Sequence, residues 1–317
     1  MTKKIGKTIG LGAAVVMMAA GCTREYPTSP IESDAIGFAP SVVRSAVSSL
    51  GNGDSFAVWA RESKDGVAQM ILSQEEILCE DGVWRYDDLR YWQWAAVYDF
   101  YALYPHDVPN AGLQDAEELS FVVRDFDARN SEDLMVAEQT GLRYAGNPAP
   151  VVFSFRHLLS KVEFVGRIDP SLTGAGLSAR LLSAELYGMP ATGSCTIDAG
   201  TDGTWIFGEN TTGESPFCAV GTKELSFEGE SIFGELLLFP QAVGQEWILE
   251  LEYEYVDADY SQNRFTKIVR LADAGVSEWK PGLGYRYSFS VGRDYILFDK
   301  PEVVPWKSAS GGIITVE

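Results

Sequence analysis

A chain of 317 residues with 45 acidic and 25 basic residues carries a net charge of −20, and its length allows one large or two ordinary domains. Nucleic acid is excluded as a partner class, because binding it needs a basic footprint that releases counterions from phosphates. Charge of this sign favours solubility and leaves the fold open.

The N-terminus is the most informative stretch. Lys3, Lys4 and Lys7 form a positive n-region, and the apolar run over 11–20 is too short to span a bilayer as a stable helix. Ala19-Ala20-Gly21-Cys22 then has the form of a lipobox, where a peptidase cuts before a Cys whose thiol carries lipid. An ordinary signal peptide that happens to contain a Cys is the plainer reading. The fit at every position favours lipid. The expected organisation is therefore a signal peptide over 1–21, lipidation (palmitate included) at Cys22, and a linker over 22–34. No later apolar run is long enough to cross a membrane as a helix.

Further along, helical periodicity is scarce and two-residue alternation is common. Residues 56–59 read as strand, and Asp65-Gly66, Asp81-Gly82 and Asp202-Gly203 accept the positive φ angles of tight hairpins. From Trp247 to Tyr255 the odd positions are apolar and the even ones after Ile248 acidic, as a half-buried antiparallel strand requires. Tyr285, Tyr287, Phe289 and Val291 repeat the pattern. Many short strands with turn signals predict an all-β chain of sandwiches.

Two stretches say more. Bulky residues fall on odd numbers in Val151, Phe153 and Phe155 but on even numbers at Val162 and Phe164. A one-residue shift moves every side chain to the opposite face, so the strand changes partners or bulges near His157-Leu158-Leu159-Ser160. A passage from one sandwich to a second is the favoured expectation, with domains over 35–157 and 158–317. The aromatic stretch with Trp84, Tyr86, Tyr91, Trp92, Trp94 and Phe100 offers either a stacking platform or a core, and core is expected.

Chemistry-bearing patterns are few. His106 follows Pro105 in a loop and His157 lies in a strand; neither belongs to a zinc, nucleophile-elbow or phosphate-loop pattern. The run from Asp257 to Asn263 begins like a calcium loop, but Gln262 and Ile268 stand where Gly and the bidentate Glu belong. Cys79, Cys195 and Cys218 have no zinc spacing, and buried free thiols are preferred over a Cys195–Cys218 bridge. No enzyme, metal or cofactor is expected.

Several short motifs in order carry a resemblance. Tyr91-Trp92 followed by Phe100-Tyr101-Ala102-Leu103-Tyr104-Pro105 is one, and Asp133-Leu134-Met135-Val136-Ala137 is another. The run from Phe155 to Val162, then Phe239-Pro240-Gln241, come next. Trp279-Lys280-Pro281-Gly282 with Tyr285-Arg286-Tyr287, and finally Pro305-Trp306, complete the set. Together, from about Ile36 to the end, they resemble the fimbrillin family of type V pilins and fimbrillin-like outer-membrane lipoproteins. The resemblance implies two tandem transthyretin-like β-sandwiches and adhesive cell-surface fimbriae. It implies a lipid-anchored precursor at the outer membrane, cut by an arginine-directed protease after an early strand. Removing that strand opens a groove for a strand of another pilin subunit, self or related.

In this sequence Ile36, Phe38, Pro40 and Val42 alternate ahead of Arg44-Ser45-Ala46, which looks like the cleavage segment, with the cut between Arg44 and Ser45. Arg24 and Arg61 compete as protease sites, and Arg61, just after the strand-like 56–59, is expected to be the less accessible. Gly311-Gly312 followed by Ile313, Ile314, Thr315 and Val316 is the candidate donor strand. An ordinary loop arginine and an ordinary last strand are the plain alternatives. A non-polymerising surface lipoprotein that binds glycans or a host surface protein through exposed Trp84, Trp92 and Trp94 is the contrasting expectation.

Overall fold

The computed structural model describes residues 34–40, 50–114, 120–173, 177–208, 215–256 and 262–306. Cys22, Val42, Arg44, Ser45, Ile313, Ile314, Val316 and most of the calcium-like run lie outside them. Among the described residues there is no α-helix; strands and three short 3-10 turns make up the regular structure.

The first half contains β1 (Phe38–Pro40), β2 (Ser55–Lys64), β3 (Val67–Glu80), β4 (Val83–Arg85), β5 (Val97–Tyr104), β6 (Ala111–Leu113), β7 (Ser120–Asp127), β8 (Met135–Leu142), β9 (Val151–Phe153) and β10 (Arg156–His157). Six of them form one sheet in the order β10-β8-β5-β2-β3-β4. The β2–β3 hairpin closes at Asp65-Gly66 and the β3–β4 hairpin at Asp81-Gly82, all four residues at positive φ (51°, 79°, 52° and 76°). That backbone twist matches the right-handed twist of the strands it joins.

The second half contains β11 (Ser160–Ile168), β12 (Ser178–Tyr187), β13 (Thr192–Asp198), β14 (Thr204–Phe207), β15 (Phe217–Leu225), β16 (Glu230–Leu238), β17 (Gln241–Ala242), β18 (Ile248–Val256), β19 (Gln262–Arg270), β20 (Glu278–Trp279), β21 (Leu283–Val291), β22 (Ile296–Phe298) and β23 (Glu302–Pro305). One sheet runs β16-β11-β21, with β22 and β23 along the outer edge of β21, and a second runs β15-β12-β18-β19. The alternating residues Leu249, Leu251, Tyr253 and Tyr255 of β18 and Tyr285, Tyr287, Phe289 and Val291 of β21 all enter one core. At Gly166 of β11 an added Cβ would stand 2.8 Å from Phe289, so the ring occupies the space a side chain would need.

The phase shift at 157–160 is a change of partners. β10 pairs with β8, whereas β11 leaves for β16 and β21. Phe153 belongs to a smaller apolar cluster and Phe164 to a larger one. The halves are nevertheless stitched together, because β7 pairs with β13 in the sheet β14-β13-β7-β6.

The motif of Trp279, Tyr285 and Tyr287 is a buried polar joint. The Trp279 indole N–H donates to the Tyr287 hydroxyl at 2.9 Å, and the Lys280 N–H donates to the Tyr285 hydroxyl at 2.8 Å. Gly282 N–H reaches the Leu159 carbonyl (3.0 Å) and Trp306 N–H the Gly282 carbonyl (2.8 Å). The Trp306 ring stacks on His157 at 3.9 Å, and His157 Nδ1 lies 2.9 Å from Asp133. Tyr287→Phe strands the Trp279 N–H in a dry core, so unfolding free energy should fall by about 1–3 kcal/mol. Urea denaturation measures it; an unchanged midpoint would mean the indole has another acceptor.

Candidate functional site

The central strands of the six-stranded sheet carry apolar residues on both faces. Ala57, Trp59, Tyr101, Leu103 and Val136 face the larger cluster, and Phe56, Val58, Phe100, Ala102 and Ala137 face the smaller one. The β6, β7 and β13 region supplies Phe121, Val123 and Cys195 to the first face. The second face is covered by β9, by the 84–92 segment, and by the early strand.

That early strand is a plug with a neighbour on each side. β1 runs parallel to β9, with Phe38 opposite Val151, and the Val151 N–H donates to the Gly37 carbonyl at 2.7 Å. On the other side the Ile36 N–H donates to the Arg90 carbonyl (2.8 Å) and the Trp92 N–H to the Asp34 carbonyl (3.0 Å). Ile36 is fully buried and Phe38 4% exposed. The Phe38 ring lies 5.5 Å from Tyr86, 5.7 Å from Phe100 and 5.8 Å from Phe153. The Tyr86 hydroxyl donates to the Ile36 carbonyl at 2.8 Å and accepts the Arg90 N–H at 3.1 Å. Burial pushes the Tyr86 phenol up, with the Arg90 bond opposing. Arg90 in turn donates to the Ile71 carbonyl (2.8 Å), which fixes this wall to the sheet.

At the open end the Tyr144 hydroxyl donates to Asp34 Oδ1 at 2.7 Å, and that bond raises the Tyr144 pKa. Trp94 meets Tyr144 edge-on at 4.8 Å. A cavity of about 290 Å3 adjoins them, lined by Trp92, Leu142, Tyr144 and Pro150 among others.

A family model described as fimbrillin-like matches residues 44–306. The chain belongs to the fimbrillin-like family. It is accordingly a fimbrial-type subunit of the cell surface, with a structural role. A fimbrial protein from Bacteroides vulgatus shares its fold at a TM-score of 0.61 and 15% identity, over 86% of this chain and 99% of that one. Candidate cell adhesion proteins from Bacteroides uniformis and Bacteroides ovatus both reach TM-scores of 0.51. Their identities are 17% and 18%, over 86% and 89% of this chain and 100% and 99% of theirs. No curated protein is detectably similar in sequence.

The residues expected to matter in this fimbrillin-like chain are placed as follows. Ile36 and Phe38 come together in the groove. Arg61, expected just beyond a short strand, instead lies inside β2, which pairs with β3 and β5 on its two sides. Its Nη2 meets Asp99 Oδ2 at 2.8 Å, and the Gly141 N–H donates to the other Asp99 oxygen. A protease needs an extended, accessible substrate strand, so folded Arg61 is protected. The aromatic stretch is mainly core: Trp84 packs on Phe56 at 5.0 Å and Trp92 on Tyr98 at 4.8 Å. Trp94, 44% exposed, is the exception. Cys79, Cys195 and Cys218 are free, and Cys218 is exposed, not buried as expected. Burial pushes the Cys195 thiol up to about 12. Among the described residues no group of three or more His, Cys, Asp or Glu is arranged to hold a metal.

Of the groove's walls, Tyr86 was expected as core and β9 as strand, but Arg90 and Tyr144 were not singled out, and none of the four was tied to β1 from the sequence. They are distant along the chain from β1, and no local pattern names a strand's partner. Phe38→Ala removes the aromatic contact of the plug, a change of about 3–5 kcal/mol at a buried Phe. Hydrogen exchange should then quicken about a hundredfold or more at the Val151 amide, with β21 amides unchanged. Equal quickening in both places would mean that the plug is not a separate opening unit.

Proposed function

We propose that the chain is a fimbrillin-like pilus subunit precursor, exported as a lipoprotein and assembled into adhesive cell-surface fimbriae by protease-triggered strand exchange. The observation that carries this reading is the early strand itself. It fills an apolar groove with Ile36 and Phe38, is bonded on both sides, and is joined to the rest through residues 41–49, which contain Arg44 and Ser45. While the connection is intact, the plug competes for its groove at a high effective concentration. After a cut between Arg44 and Ser45 the plug is a separate chain. Once it leaves, the groove is open to augmentation by another strand, with backbone bonds giving affinity and alternate side chains filling pockets.

In this reading Cys22 carries the lipid that holds the precursor at the outer membrane, and cleavage releases the subunit from it. Cutting at Arg24 would release the anchor alone and leave the plug in place. The displaced strand comprises Ile36, Phe38 and Val42. The donor is the segment with Ile313, Ile314 and Val316, and the partners are other pilin subunits. The division into sandwiches over 35–157 and 158–317 draws support from the partner change at 157–160, while the β7–β13 ladder crosses it. The contrasting reading, a surface lipoprotein that binds glycans or a host protein and never polymerises, keeps Trp94 as its one well-exposed indole.

Treating the purified precursor with an arginine-specific protease should give a new N-terminus at Ser45 and promote oligomers. Arg44→Ala should block both. An Arg44→Ala chain that assembles as well as the parent would refute the role of this residue.

A further inference from the structure

The groove as described has little to choose between occupants. Backbone bonds carry no sequence information, and a pair of alternating apolar side chains fits more than one register, since a two-residue slip keeps every side chain on its face. Gly37 adds no restriction: a Cβ there would meet Pro150 at an ordinary 3.8 Å. One contact does distinguish sequences. Asp34, two residues before Ile36, accepts the Tyr144 hydroxyl at 2.7 Å, while its own carbonyl is held by the Trp92 N–H at 3.0 Å. Tyr144 is steadied by Trp94, packed edge-on at 4.8 Å. The hydroxyl therefore stands at a fixed distance from the site of the first apolar side chain.

We propose that the groove selects its occupant by a hydrogen-bond acceptor placed two residues before the first of two alternating apolar side chains, and that Tyr144 is the residue that reads it. This rests on the strand-exchange reading above and names the partner class: an acceptor-x-apolar-x-apolar strand running parallel to β9. The chain's own C-terminal segment lacks that mark. In the polarity of the early strand, the apolar pair Ile314 and Val316 puts Gly312 at the acceptor position. Capture of a strand from a second copy is therefore weaker than capture of an acceptor-bearing strand from a related subunit. The effect is a bias and not a gate, because a hydroxyl at the groove mouth can turn to water.

The test uses the full chain, cut after Arg44, with its early fragment fluorescently labelled and still seated. Four peptides compete for the groove: residues 34–40, the same with Asp34→Ala, residues 311–317, and the same with Gly312→Asp. The Asp34→Ala peptide should displace the fragment about threefold to tenfold less effectively than its parent, and the Gly312→Asp peptide should gain by a similar factor. Both differences should vanish in Tyr144→Phe, which keeps the ring that packs on Trp94. Equal potency of each pair on the parent chain, or differences that survive in Tyr144→Phe, would overturn the selection and leave strand exchange standing. Failure of every peptide to displace the fragment would instead overturn strand exchange, and the selection with it.

Discussion

The six-stranded sheet is apolar on both faces, so it needs a cover on each, and the two covers differ in kind. One face meets β7 and β13, which are themselves strands of a four-stranded sheet anchored in the second half of the chain. The other face meets a thin layer in which the early strand sits between β9 and the 86–92 segment. Burying a side chain of the size of Ile36 or Phe38 contributes about 1.5–3 kcal/mol each. That is enough to hold a short strand while it is tethered to the rest of the chain. On the strand-exchange proposal, this asymmetry between the two covers would let the subunit fold alone and later accept a neighbour.

The second half gives the structure its fixed frame. Trp279, Tyr285 and Tyr287 lock the turn before β21, and Gly282 ties that turn to Leu159 at the passage between the two clusters. Trp306, the last described residue, is held at the same junction by Gly282 and by its stack on His157. Trp306 is thereby fixed at a defined point beside the junction, directly after β23. The β7–β13 ladder makes it hard for either half to move without the other.

Much of this was legible in the sequence, because period-two patterns report burial directly. The alternation over 247–255, the shift of phase at 157–160 and the turns at Asp65-Gly66 and Asp81-Gly82 appear where residue chemistry predicts them, whereas at Asp202-Gly203 only the glycine takes a positive φ, within a longer loop between β13 and β14. Pairing was not legible. Nothing near Phe38 says that its neighbour is Val151, nor near Asp34 that its partner is Tyr144, since such contacts are set by topology and not by local propensity. At Arg61 low accessibility was expected from the strand before it, but not the partner that holds it, Asp99 on the adjacent strand. Trp94 and Cys218 were expected inside, yet Trp94 sits exposed in the turn before β5 and Cys218 is exposed on β15.

The central claim is that the early strand is a removable cover, present in the precursor and absent from the working subunit. N-terminal sequencing of native cell-surface material, together with electron microscopy of the same preparation, addresses it most directly. The account predicts filaments whose chains begin at Ser45. Filaments built from chains that still carry residues 34–40 would contradict it, as would a lipidated Cys22 retained throughout the surface material.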